Sequence, residues 1–218
     1  MELKDLIYAR HSVRKFKDTD IPKEDILKIL DAIRVGPSVE NVQNWHFIVV
    51  KNKDFMNKLG DVINAKLAKV VSRVAEVDEK RAARFEKFIK LFVLFAIKAP
   101  VLVLIYSYTA PPAAYTEYKM INVPHEELDH LLLQNCAMQS LGAAVENGVL
   151  RAMDLGYGTC IMTGQNWAHR EIENLVKEEL GFEKEGWFLA TMLPIGIPDG
   201  EIKFPGRKPL DEMVLFVD

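Results

Sequence analysis

Cysteine is scarce in this chain. There are two, Cys136 and Cys160, at no CxxC or metal-ligand spacing. That excludes a disulfide framework, and the expectation is two buried thiols acting as small apolar residues in a reducing compartment. Charge of one sign is lacking too. Against 28 Lys and Arg stand 31 Asp and Glu, so nothing resembles a nucleic-acid footprint and any anion must be held by a local cluster. No long hydrophobic run occurs. The greasiest stretch, Phe88 to Tyr108, is interrupted by Lys90, Lys98 and Pro100, and falls short of the roughly 18–20 apolar residues that span a bilayer. The N-terminus, Met-Glu-Leu-Lys-Asp, is charged and has no small-residue cleavage site, so a cytoplasmic location is expected. The motifs GxGxxG, GxxxxGK[ST], GxSxG and HExxH are all missing. His125 and His130 are five residues apart, about 140° round a helix, and share no face. With no convincing acid, base or nucleophile, the chemistry points to a cofactor.

The 218 residues are 49% hydrophobic and 27% charged, which suits one globular domain over 1–218. A helix should follow Pro22, with Glu24 and Asp25 at its positive end, Ile26, Ile29, Leu30 and Ile33 on one face, and Gly36-Pro37 as its stop. Trp45–Val50 and Trp187–Ile195 read as strands, as does Val101–Tyr106 after a break at Lys98–Pro100. Residues 54–96 read as two or three charged helices, and Glu126–Leu155 as one long helix with small residues at its middle. Arg170–Leu180 is an amphipathic helix stopped by Gly181, and the tail ends in the apolar run Met213–Val217. Helices outweigh strands and do not alternate with them, so the expected class is α+β with a central, mainly antiparallel sheet flanked by helices.

Four segments could carry chemistry. In an extended Arg10-His11-Ser12-Val13-Arg14, alternate side chains share a side. Two guanidinium forks and a hydroxyl there suit a phosphate dianion. The plainer reading is a solvated basic patch. Gly36–Trp45 offers Ser, Asn and Gln amides to a planar heterocycle, or is simply turn chemistry. Gly156-Tyr157-Gly158-Thr159-Cys160-Ile161-Met162-Thr163-Gly164 allows close backbone approach to a ring, or is a helix stop followed by core. Lys203–Leu210 is basic and, alone, reads as a surface turn.

Taken in order and spacing, these segments resemble the FMN-dependent nitroreductase family. The match lies in Arg-His-Ser-Val-Arg-Lys-Phe at 10–16, Pro-Ser-x-x-Asn-x-Gln-x-Trp at 37–45, Gly-Tyr-Gly-Thr-Cys at 156–160 and Arg-Lys-Pro-Leu-Asp-Glu at 207–212. The resemblance implies a nitroreductase-type fold in an intertwined homodimer, with FMN held non-covalently. It implies that Arg10, Ser12 and Arg207 hold the FMN phosphate, with His11 in the same segment. Arg14 would face the N1/C2=O side of the flavin. Pro37, Ser38, Asn41 and Gln43 would contact the ring from the neighbouring subunit. The Thr163–Gly164 backbone would donate to flavin N5, with Ile161 and Met162 close to the ring. NADH or NADPH would reduce the flavin, and a nitroaromatic, quinone or related acceptor would reoxidise it, in ping-pong order. A reductive dehalogenase or flavin-fragmenting enzyme of the same fold, or a non-redox binder of a phosphorylated ligand, are the alternatives. Two departures stand out: Asn44 precedes Trp45 where Pro is usual, and Pro205 replaces a second basic residue. Residues 54–98 align with nothing in the family, so the substrate is not legible.

Overall fold

The structure is a computed structural model that describes residues 2–200 and 206–217. Four strands form one antiparallel sheet: β1 (His46–Val50), β2 (Val101–Ser107), β3 (Gly158–Thr159) and β4 (Phe188–Gly196), in spatial order β1-β2-β4-β3. Every residue of β2 is buried, as a central strand covered on both faces must be. Its side chains alternate with period two. Val101, Val103 and Ile105 meet one core, and Leu102, Leu104 and Tyr106 the other.

Helices cover both faces. On one face lie α2 (Lys23–Arg34) and α7 (Cys136–Asp154), packed through Ile26, Ile29, Ile33, Leu141, Val145 and Val149. On the other lie α3 (Lys53–Ala75), α4 (Glu79–Phe92) and α8 (His169–Leu180), packed through Phe55, Leu59, Ile63, Ile89 and Ile172. Local chemistry sets the ends of these helices. The side chains of Asn52 and Asp78 accept from Phe55 N and Arg81 N, each at 2.9 Å, and cap α3 and α4. Gly181 closes α8 at φ 66°, where a side chain would be strained. The charged segment after residue 53 is therefore the pair α3 and α4, followed by a short 3₁₀ turn at Leu94–Lys98. No helix among the described residues is long and apolar enough to cross a membrane.

One expectation needs correction. The long helix Glu126–Leu155 is two helices, α6 (His125–Leu133) and α7, preceded by the short α5 (Tyr115–Met120). Asn135 takes φ 39°, breaks the helical path and caps α7 by accepting from Met138 N at 3.3 Å. The small residues of α7 also divide by face. A Cβ on Gly148 would fall 2.4 Å from Ile33 Cγ1, and one on Gly36 2.5 Å from Ala144, so Ala144 and Gly148 admit α2 of the same chain. Gly142 faces open space. The tail Met213–Val217 forms no strand within the chain and lies exposed.

Candidate functional site

The first helix, α1 (Leu3–Ala9), ends where Arg10 turns to extended backbone, its N–H still donating to Leu6 O at 2.9 Å. The chain then runs beside β3, with Val13 N–H donating to Thr159 O at 2.8 Å. Val13 is buried against Gly158, where a Cβ would stand 2.5 Å from Val13 Cγ2. With Val13 pointing inward, Ser12 and Arg14 point the other way. Ser12, Arg14 and Arg10 all act on the Cys160 thiol. Burial pushes the Cys160 thiol up, while a hydrogen bond with Ser12 and the charges of Arg14 and Arg10 pull it down. Arg10 is also paired with Glu146 on α7, Nε to Oε1 at 3.2 Å. Burial raises the Glu146 carboxyl above its ordinary value, and Arg10 partly offsets the rise. The Arg14 guanidinium stands 5.3 Å from the centre of the Phe92 ring. His11 Nδ1 lies 2.6 Å from Ala9 O, which turns that ring nitrogen to the backbone.

The second strip is Ile161–Gly164. Met162 pairs with Met192 through both its N–H (3.0 Å) and its C=O (3.1 Å), and Gln165 Nε2 and Thr191 Oγ1 also donate to Met162 O, at 3.0 and 2.8 Å. The Met162 side chain is buried in the core. Its neighbours do face outward. Ile161 is 41% exposed, Thr163 is exposed, and neither Thr163 nor Gly164 donates its N–H to a backbone carbonyl among the described residues. Ile161 and Thr163 form one wall of a cleft of about 390 Å³. Met138, Leu141, Gly142 and Val145 of α7 form the opposite wall, and Ala190 and Thr191 of β4 the floor.

The loop Pro37–Gln43 does not line that cleft. Glu40, Asn41 and Gln43 all hold positive φ (48°, 56° and 46°), a strained run for residues with side chains. Ser38 Oγ accepts from Gln43 N at 2.8 Å, and Ser140 Oγ accepts from Val39 N at 3.0 Å. Asn44, fully buried, locks the loop down. Its Nδ2 donates to Ser107 Oγ (2.8 Å) and Ala137 O (3.1 Å), and Ser107 Oγ donates to Asn44 O (2.6 Å). The residue that departs from the family pattern is thus the anchor of the loop. Pro37, Asn41 and Gln43 are exposed, and Ser38 is half-buried.

Arg207 is exposed, with Nη1 donating to Gly206 O at 3.4 Å. Lys203, Phe204 and Pro205 lie outside the described residues. Sequence reasoning missed Glu146 and Asn44 as parts of the site. Glu146 had one signal, a carboxylate amid the small and apolar residues of a helix.

The site thus has a cationic cluster of Arg10, Ser12 and Arg14 acting on Cys160, and, starting at the next residue, Ile161, a wall of an apolar cleft that also carries Thr163. It can hold an anionic tail at one end and a planar apolar body at the other. The sheet order, the helix cover on both faces and this cluster define an α+β protein of nitroreductase type. The nitroreductase family model matches residues 7–197, and the chain belongs to that family. It is similar over 100% of both chains to a BluB-like flavoprotein from Clostridium difficile 630, with 47% identity and a TM-score of 0.97. It is also similar to an iodotyrosine deiodinase solved with FMN and 3-iodo-L-tyrosine, with 25% identity, a TM-score of 0.67 and coverage of 99% of this chain and 100% of that one. A curated protein of Methanothermobacter thermautotrophicus, provisionally named an NADH dehydrogenase/NAD(P)H nitroreductase, is 44% identical over 62 residues. That match covers 28% of this chain and 32% of the relative.

Proposed function

We propose that the protein is a flavoenzyme that holds FMN non-covalently, takes reducing equivalents from NADH or NADPH, and passes them to a nitroaromatic, quinone or similarly electron-poor acceptor. The observation that carries this is that one strip of chain holds both features: Arg10, Ser12 and Arg14 act on Cys160, and the next residue, Ile161, begins a wall of the apolar cleft. FMN, when bound, supplies hydride and electron transfer. The chain supplies position and charge. Arg10 and Ser12 hold the phosphate, and Arg207 adds a third contact. Arg14 sets positive charge beside the ring. The Thr163 and Gly164 N–H groups donate to the ring, and Ile161 keeps water from its face. Pro37, Ser38, Asn41 and Gln43 lie outside the cleft of their own chain, which supports a homodimer in which each loop reaches the partner's site.

Reductive dehalogenation is the second reading. It rests on the likeness to the iodotyrosine deiodinase solved with its halogenated ligand. One experiment tests both. The yellow protein is mixed with NADH or NADPH without oxygen, and then with a nitroaromatic, a quinone or a halophenol. The flavin band should bleach with a nicotinamide and return with a nitroaromatic or quinone. Return with the halophenol alone favours the second reading. No bleaching with either nicotinamide contradicts the donor, and a colourless protein leaves a non-redox binder.

A further inference from the structure

We propose that Glu146 is a positioning residue for the anion notch: fixed on α7, it holds Arg10 by its Nε side and so turns the terminal guanidinium nitrogens toward the ligand's phosphate. This rests on the FMN reading above. Arg10 follows the last turn of α1, and only its backbone N–H is tied to that helix. Its long side chain has many rotamers, and an arginine recognises an anion best when its planar fork is already aimed. Glu146 comes from the opposite kind of element. Its neighbour Val145 is buried in the core, and Gly148 on the next turn abuts Ile33 of α2, so the helix beneath it cannot shift freely. The ion pair approaches through Nε at 3.2 Å, with the two side chains 28% and 39% exposed. Nε belongs to one edge of the guanidinium, and the end-on edge formed by the two Nη groups is a different one, able to meet a phosphate in a two-bond contact.

Charge supports the same role. Arg10 and Arg14 both act on the Cys160 thiol, so two guanidinium groups share the notch. Their repulsion would drive the more mobile one into water, and the Glu146 carboxylate is the counter-charge that keeps Arg10 in place. Glu146 also lies one helical turn from Gly142 on the cleft wall, so one rigid helix sets both the phosphate end and the ring end of the site. The opposite role, in which Glu146 competes with the phosphate for Arg10, predicts the opposite sign.

The test uses full-length protein freed of flavin, titrated with FMN and with riboflavin, which lacks the phosphate. Glu146→Ala should raise the FMN Kd about tenfold, the loss expected when one charge-assisted contact is mis-aimed, and leave the riboflavin Kd unchanged. Glu146→Gln should fall between wild type and Glu146→Ala, since its amide oxygen still accepts from Nε–H but brings no counter-charge. In an Arg10→Ala background, Glu146→Ala should cost nothing more. The proposal is overturned if Glu146→Ala binds FMN as well as or better than wild type, or if FMN and riboflavin weaken equally. If the wild-type protein does not prefer FMN to riboflavin, the phosphate reading falls first and this role falls with it.

Discussion

Cys160 sits 4% exposed beneath Ser12, Arg10 and Arg14, and burial outweighs the hydrogen bond and the two charges. Its thiol is therefore held above the ordinary value of 9.0. The sign follows: the folded chain favours the protonated thiol, so its contribution to stability is complete below pH 9.0 and is lost as pH rises through the raised value. A thiolate is the reactive form. In native protein at pH 8, a disulfide reagent should label half-buried Cys136 faster than Cys160, whose burial both blocks access and raises its thiol. Equal rates at both thiols would contradict this. The expectation that both cysteines are buried thus holds for Cys160 and only partly for Cys136. At this scale legibility depended on spacing. The alternation of Arg10, Ser12 and Arg14 was readable because an extended segment fixes which side chains share a side. In Cys-Ile-Met-Thr an unbroken apolar run gives no such cue, and only the pairing of Met162 with Met192 shows that Met162 turns inward. The partner of Arg10 lies far along the chain on another helix, where no local pattern points to it.

Among the elements, β1 is an edge strand, with one side unpaired among the described residues. Such an edge invites another strand. The tail supplies apolar chain with no cover: Leu215, Phe216 and Val217 are 88, 83 and 89% exposed. No residue of α5 or α6 is buried either. These are surfaces a partner subunit would cover, and an obligate interface buries roughly 2,000–5,000 Å². Deleting residues 211–218 should therefore lower dimer stability and flavin content together, read by light scattering for mass and by absorbance for flavin. A folded, truncated monomer that retains full FMN contradicts the shared site. Several element positions were legible, because α2, α8 and the strands β1, β2 and β4 carry clear periodicity or β-branched and aromatic runs, whereas α1 and the two-residue β3 carry no such mark. The break before α7 was not legible. Gln134 and Asn135 are tolerable inside a helix, so nothing local announced the left-handed turn that Asn135 takes.

For the whole molecule, one antiparallel sheet separates two cores, and the site lies at their seam. Leu141 and Val145 of α7 belong to one core, while Cys160 and Met162 belong to the other. The notch and cleft open between them, so neither wall can move without disturbing a packed layer. That placement made the family legible in sequence, since the segments at 10–16, 37–45 and 156–160 are the ones the seam brings together or braces. The substrate was not legible, because residues 54–98, which form α3 and α4, carry no pattern that names a ligand. The central claim is the bound cofactor. The proposed contacts of Arg10, Ser12 and Arg207 suit one terminal phosphate dianion, whereas FAD would bury a diphosphate and need room for adenosine. The direct measurement is acid release of the pigment from purified protein, followed by chromatography. The account predicts a main peak of FMN at about one per chain, as twofold symmetry requires of a dimer with two equal sites. A main peak of FAD, or protein that neither carries nor takes up FMN, would contradict it.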